Sequence, residues 1–225
     1  MAQSTLTQIL ETNGARFLMD KAKRDVAQRR GHNLPHWSID GGVYHVRFRL
    51  ADSIPHKLLL ELIEEKERLK SLFKCKNSNI TAADKRRLTL LHTDKVDKTI
   101  DAGYGECWLQ QEPIGELVTN ALKFFDGKRY HLYAWCVMPN HVHAIVQPIQ
   151  GFDLSSILHS WKSYTANKAN EILGRKGRFW QRESFDHVIR NMESLVEKID
   201  YVYRNPEKAG LSDWKWVHKA DYKEG

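Results

Sequence analysis

The order of elements in this chain predicts an α+β domain whose mainly antiparallel sheet is covered by helices. Three observations carry that prediction. Residues 43–50 (Val-Tyr-His-Val-Arg-Phe-Arg-Leu) alternate by two, the pattern of a half-buried strand. Residues 130–137 and 141–147 are apolar runs joined by the tight Met138-Pro139-Asn140 connection, which reads as a central strand and a second strand returning beside it. The intervening segments carry apolar residues at helical spacing, so the order is β-α-(insertion)-α-β-β-α-β-α.

Taken in order, residues 7–29 have amphipathic spacing and predict a helix, with a turn at 31–35, so residues 1–40 form an N-terminal helical extension. Strand 43–50 follows, with His45, Arg47 and Arg49 on one face. Leu58, Leu59, Ile63, Leu69 and Leu72 give residues 57–73 a helical stripe among dense i,i+4 charges. Residues 75–105 are polar, basic and mixed, and read as an insertion. Cys107-Trp108-Leu109 predicts a short strand, and 112–125 a helix. Asp126-Gly127 turns the chain into strand 130–137. Asp153 caps a helix running to about Leu173, whose stripe is Leu154, Ile157, Leu158 and Trp161; Gly174 and Gly177 end it. Short extended pieces are expected at 179–180 and 187–189, and a last helix at 192–203 stops before Pro206. The main domain is expected over 41–212, with 213–225 as a C-terminal tail.

Composition narrows the function classes. The balance is that of an ordinary globular chain, 41% hydrophobic and 28% charged, and no stretch approaches the ~20 apolar residues that span a bilayer. The first residues lack a basic-then-apolar signal segment, so a cytoplasmic location is expected. Cys75, Cys107 and Cys136 share no metal-type spacing and read as reduced thiols, Cys136 in the core. Lys plus Arg exceed Asp plus Glu by 35 to 28, a net charge of +7 that suits a polyanion partner. The excess is clustered at Lys21, Lys23, Arg24, Arg29 and Arg30, at Lys85-Arg86-Arg87, and at Arg175, Lys176, Arg178, Arg182 and Arg190.

The chemistry concentrates in Pro139-Asn140-His141-Val142-His143. On a strand, His141 and His143 project to the same side and can hold one divalent ion; the alternative is two histidines that merely pack at a strand end. On the last helix Met192, Leu195, Val196, Ile199 and Val202 form one apolar stripe. Tyr203 falls inside it and is expected to pack in the core. Tyr201 falls off it, beside Asn205 four residues on, so a hydroxyl nucleophile and an oxygen ligand share a polar face. An ordinary exposed tyrosine is the competing interpretation.

The histidine motif stands in order with Trp161-Lys162-Ser163-Tyr164-Thr165-Ala166, Phe179-Trp180-Gln181-Arg182-Glu183, Asp186-His187-Val188-Ile189-Arg190 and 201–211 (Tyr-Val-Tyr-Arg-Asn-Pro-Glu-Lys-Ala-Gly-Leu). Together they resemble the REP-associated tyrosine transposases, relatives of the single-tyrosine HUH transposases, over roughly residues 44–211; 101–109 resemble a longer bacterial branch. The resemblance implies a ferredoxin-like antiparallel sheet flanked by helices. It implies that His141 and His143 hold Mg²⁺ or Mn²⁺, that Asn205 is a third ligand and that Tyr201 is the nucleophile. The implied activity is metal-dependent endonuclease and strand-transfer chemistry through a 5′-phosphotyrosine. The substrate would be single-stranded DNA whose imperfect palindromes fold into hairpins. A monomer associated with the nucleoid is expected, with no membrane partner. Tyr203 departs from the family by supplying a second tyrosine.

Lys162, Arg182, Arg190, Arg47 and Arg49 are candidate DNA contacts, each equally open to surface ion pairing. Trp180 and Tyr164 are either stacking platforms for unpaired bases or core aromatics. Competing functions are a catalytically idle hairpin-binding regulator, a rolling-circle initiator or relaxase, and a metal-dependent hydrolase using water. The chain has no helicase-like phosphate loop.

Overall fold

Side-chain alternation along a five-stranded antiparallel sheet decides which residues meet in this protein. The structure, a computed structural model, describes residues 5–15, 17, 26–30, 35–39, 41–74 and 81–220. In chain order the elements are α1 (Thr5–Thr12), β1 (Val26–Arg30), β2 (Pro35–Ile39), β3 (Tyr44–Arg49), α2 (His56–Lys74) and α3 (Ala82–Asp101). A 3₁₀ turn (Trp108–Gln110), α4 (Glu112–Lys123), β4 (Tyr130–Val137), β5 (His141–Pro148) and α5 (Leu154–Ile172) follow. The chain then forms β6 (Phe185–Val188), α6 (Met192–Tyr203), α7 (Asn205–Lys208) and β7 (Val217–Lys219). The main sheet has the order β6-β3-β5-β4-β7 and every pairing is antiparallel; β1 and β2 form a separate hairpin. Leaving out β7, the order is that of a βαββαβ ferredoxin-like unit, its third strand between its first and second.

The two faces of the sheet are packed differently. One face places Tyr44, Val46, Phe48, Val142, Ala144 and Val146 against Ile114, Val118 and Leu122 of α4 and Ile157 and Trp161 of α5. Each buried Val, Leu, Ile or Phe side chain among them contributes roughly 1.5–3 kcal/mol of transfer free energy. The other face packs Val43, Tyr133, Ala134, Cys136 and Ile145 against Leu195, Ile199 and Val202 of α6 and Leu6 and Leu10 of α1. A β-bulge between Leu132 and Ala134 shifts the register of β4 on β5. Before it the even residues Tyr130 and Leu132 join the first core; after it the odd residues Trp135 and Val137 do.

Several expectations are corrected. Among the described residues of the helix expected over 7–29, helix covers Thr5–Thr12 and residues 26–30 are strand paired with β2; residues 16 and 18–25 lie outside the described residues. The insertion 75–105 contains a 20-residue helix, α3, opened by a capping box in which Asp84 N donates to Thr81 Oγ1 and Thr81 N donates to Asp84. It lies along α2, joined by Lys95 Nζ to Glu65 at 2.6 Å and by Ile100 packed against Ile54 and Leu62. Residues 75–80 lie outside the described residues. The strand expected at 107–109 is a 3₁₀ turn entered through Cys107 at φ 51°. The expected tail 213–225 supplies the sheet's edge strand β7. Trp214 Nε1 donates to Val137 O at 2.8 Å, and Trp216 closes on Gly115, where an added Cβ would lie 2.5 Å from the indole. No described helix is long and apolar enough to cross a membrane.

Candidate active site

His141 and His143 lie on the α6-facing side of β5, since Val142 and Ala144 between and after them face the other core. Both are buried, with their Nε2 atoms 3.1 Å apart. Each Nδ1 meets a different partner. Asn140 Nδ2 donates to Ile100 O and Tyr104 O, both at 3.0 Å, which turns its Oδ1 toward His141 Nδ1 at 2.8 Å. His141 therefore carries its proton on Nδ1 and presents a bare Nε2. His143 Nδ1 is 3.0 Å from Nε2 of His45 on β3, the two rings stacked with centroids 5.2 Å apart. Burial, reinforced by Lys198 and Arg47, pushes His45 down to about 3. Burial and then Arg47 do the same for His141, also to about 3. His143 is held well below its ordinary value, first by burial and then by His141 and His45. All three imidazoles are neutral at pH 7, the form that binds metal.

The third donor comes from the segment that read as an insertion. Asp101, the last residue of α3, places Oδ1 3.5 Å from His141 Nε2. Asp101, His141 and His143 offer ligand atoms that all lie within 4.8 Å of one another. One helical turn earlier, Asp97 pairs with the buried guanidinium of Arg47, which also lies 5.4 Å from the centre of the Phe185 ring. Burial and the neighbouring Asp97 raise the Asp101 carboxyl, and Arg47 opposes them. Two neutral imidazoles and one carboxylate oxygen fit a divalent ion. The 3.1 Å Nε2 separation suits adjacent donors on an ion bound at about 2.1–2.2 Å.

Tyr201 faces this cluster from α6. Its ring stands edge-on to His143 at 5.6 Å and to His45 at 6.0 Å. Lys198 and Lys208 place their Nζ atoms 5.5 and 5.1 Å from the ring centre. Burial, then Asp101 and Asp97, push the phenol up to about 12, while Arg47 and a hydrogen bond with Asn205 pull it down. Asn205, expected as the third metal ligand, is thus buried beside the phenol, and the carboxylate beside the histidine pair is Asp101. Tyr203, expected in the core, is exposed at the helix end with Lys219 4.9 Å from its ring centre. The apolar stripe closes one residue earlier, at Val202.

The candidate DNA contacts separate by burial. Arg182 and Arg190 are exposed. Arg47 is buried in its pair with Asp97, and Arg49 donates to Ser53 Oγ at 2.9 Å while burial lowers it to about 10. Lys162 donates to Gln181 O, Arg182 O and Ser184 Oγ at 2.8, 2.9 and 3.1 Å, which accounts for all three protons of its ammonium. It fastens α5 to the segment before β6 and leaves no donor for a phosphate. Trp180 is buried, with Nε1 donating to Thr165 Oγ1 at 2.9 Å, whereas Tyr164 is 53% exposed.

Asp97, Asp101, Asn140, Lys208 and the role of His45 were missed by sequence reasoning. One signal was available: an acidic pair four residues apart, at the end of a segment opened by Thr81 and Asp84, marks one face of a capped helix.

Comparison with known proteins adds an independent finding. Residues 106–202 match the family described as "Transposase IS200 like". The REP-associated tyrosine transposase of Escherichia coli (strain K12) is 33% identical over 97 residues, covering 41% of this chain and 56% of that protein. A putative REP-associated tyrosine transposase of Haemophilus influenzae (strain ATCC 51907 / DSM 11121 / KW20 / Rd) is 27% identical over 101 residues, 39% of this chain and 57% of that one. The match therefore spans a little over half the length of these relatives. Both agree with the family that the sequence motifs resemble. A solved structure described as a REP-associated tyrosine transposase bound to a REP hairpin aligns with TM-score 0.46 at 20% identity, over 83% of this chain and 82% of that chain.

Proposed function

We propose that this relative of the REP-associated tyrosine transposases is a metal-dependent single-stranded DNA endonuclease and strand transferase acting on hairpin-forming repeats. The observation that carries the reading is the Tyr201 ring edge-on to His143 at 5.6 Å, with two lysine ammoniums about it. A nucleophile, a pair of neutral imidazoles and cations for a phosphate thus share one pocket in one chain. That arrangement also favours a monomer, because Tyr201 faces its own chain's histidines. The relatives are named for REP elements, which supports hairpin-forming DNA as the substrate class, and the net charge of +7 suits a polyanion.

In this reading Tyr201 Oη attacks the scissile phosphorus as its proton leaves, the 3′-oxygen departs and takes up a proton, and the DNA stays attached as a 5′-phosphotyrosine. The phenol, pushed up to about 12, is protonated at neutral pH, so its charge must be stabilised as it forms. Asn205 hydrogen-bonds the phenol, and Lys198, Lys208 and Arg47 favour the anion. His141, His143 and Asp101 would hold a divalent ion, which would supply Lewis-acid polarisation of the phosphate. Two imidazoles favour Mn²⁺ over Mg²⁺. The phosphotyrosyl ester keeps a bond that a free 3′-hydroxyl can attack, so joining needs no ATP.

A labelled single-stranded hairpin oligonucleotide incubated with the protein and Mn²⁺, then run on a denaturing gel, tests this. The wild type and Tyr203→Phe form a covalent adduct and Tyr201→Phe forms none. An adduct persisting in Tyr201→Phe removes the assignment. Free cleaved product means hydrolysis by water, and a native-gel shift without product means binding alone.

A further inference from the structure

We propose that the cleft between α4 and α5 is a second DNA site, which holds an unpaired base on the face of the sheet opposite Tyr201. The cleft has a volume of about 410 Å³, within the ~300–1,000 Å³ of small-ligand sites. Leu117, Asn120 and Phe124 line it from the α4 side, Ser160 and Tyr164 from α5, and the buried Trp161 from beneath. Its two outer rings are left to solvent, Phe124 70% exposed and Tyr164 53%. Packing of the fold requires neither ring. The α4 stripe that meets the sheet is Ile114, Val118 and Leu122, and Phe124 lies two residues on, about 200° round the helix. There it stands edge-on to Phe125 with ring centres 4.6 Å apart.

The lining selects the class of ligand. Among the described residues no charged side chain lines the cleft, so a charged group entering it would lose water and gain no partner. Two aromatic faces accept a flat ring, and the Asn120 amide and Ser160 hydroxyl offer donors and acceptors to its polar edge. Cations stand at one end. Lys123 and Lys128 are exposed beside Phe124 and Phe125, and Arg129 lines an adjoining hollow with its guanidinium 3.6 Å from the centre of the Phe125 ring. The nearest carboxylate in the chain, Asp126, is occupied in accepting from Leu132 N at 2.9 Å. A neutral aromatic slot with three cations at its end matches a base and its phosphate. An apolar protein side chain, or a second copy of this basic chain, would leave those cations unmatched. A base inside a duplex is already stacked on both faces, so only an unpaired one can enter. The proposal rests on reading DNA as the partner, and not on Tyr201 as the nucleophile.

The probe is a hairpin oligonucleotide with single-stranded flanks, carrying 2-aminopurine at one unpaired position at a time and titrated with the full chain in EDTA. At saturating wild-type protein the fluorescence is quenched at a position that stays bright with the Phe124→Ser, Tyr164→Ala double variant. In anisotropy titrations Tyr164→Ala binds the hairpin about 10-fold more weakly, and Tyr164→Trp restores the affinity. Binding of a fully paired duplex of the same length is unchanged by Tyr164→Ala. Both substituted rings are more than half exposed, so the variants are expected to fold, with melting temperatures as the control. The same quenching in wild type and double variant, or wild-type affinity in folded Tyr164→Ala, overturns the proposal and leaves the proposed function standing. A dimer that Phe124→Ser dissolves, with DNA affinity unchanged, makes the cleft a contact between copies and overturns it too. Failure of the wild type to bind any single strand overturns both readings.

Discussion

The two faces of β5 are made by one stretch of eight residues and do opposite work. Val142, Ala144 and Val146 enter hydrocarbon between the sheet and α4 and α5, where shape and apolar area are all that is required. His141 and His143 enter an equally buried space on the other side, where every nitrogen has a directional neighbour and two carboxylates, an arginine and a tyrosine converge. The first face stabilises the fold. The second carries the cost of desolvating polar groups, which a bound cation would offset. Stability and chemistry are therefore separable by mutation, though the residues involved are adjacent in sequence.

Four measurements put that separation to the test. The largest effect is on chemistry: Asp101→Ala is expected to lower metal-dependent adduct formation by on the order of 10³-fold. The melting temperature, read in the metal-free protein, should be held or raised. A large loss of metal-free stability would make Asp101 a structural residue. Next, Trp161→Ala on the opposite face is expected to cost about 3–5 kcal/mol in denaturant unfolding. It removes an indole that also donates to Tyr130 Oη at 2.9 Å, and adduct yield per folded molecule should be retained.

The third is the response to acid. His45 and His141 are held neutral down to about 3 in the folded chain, against 6.5 when unfolded. A depressed histidine value means that the unfolded state binds the extra proton. Its stabilising contribution is therefore whole above pH 6.5 and is lost as pH falls from there toward 3. Thermal scans of metal-free protein should show a melting temperature lower at pH 5 than at pH 7 by about 5 °C or more. A flat profile would mean that these imidazoles titrate normally. The smallest effects distinguish two basic side chains. Lys162→Met should lower stability by about 1–3 kcal/mol by orphaning its acceptors, with the salt dependence of DNA binding unchanged. Arg190→Ala should leave stability alone and reduce the slope of log affinity against log salt by about 1.

Much of the fold is legible along the chain, because β4, β5, α5 and α6 each carry a strong local period. Tyr201 and the histidine pair are legible for the same reason: strand alternation and a helical stripe fix which way they point. What escapes is non-local. Asp101 belongs to a helix so polar that its apolar period is weak, held by pairing to Glu65 of α2 and by packing of Ile100. Its approach to His141 is set by Asn140 fastening the end of α3, a contact between residues far apart in sequence. The strand β7 hides for a related reason: three residues are too short to declare a period, and two tryptophans and Gly115 hold it in place. A helical wheel places Tyr203 in the core because a wheel has no end, whereas a real helix does.

The bulge between Leu132 and Ala134 has a consequence for how such chains can diverge. A strand behaves like a wave of wavelength two, and one surplus residue shifts its phase by half a cycle. Upstream of Tyr133 the wave is in one phase, downstream in the other, and only the downstream phase puts Cys136 beside His143 and Trp135 in the opposite core. A lineage that deleted Tyr133 would keep every pairing and facing of β4, because Leu132 and Ala134 already oppose the consecutive residues Val146 and Ile145, whereas losing a residue outside the bulge would exchange inside for outside along one end of the strand. In β4, loss of one codon away from the bulge is therefore a harsher change than most substitutions.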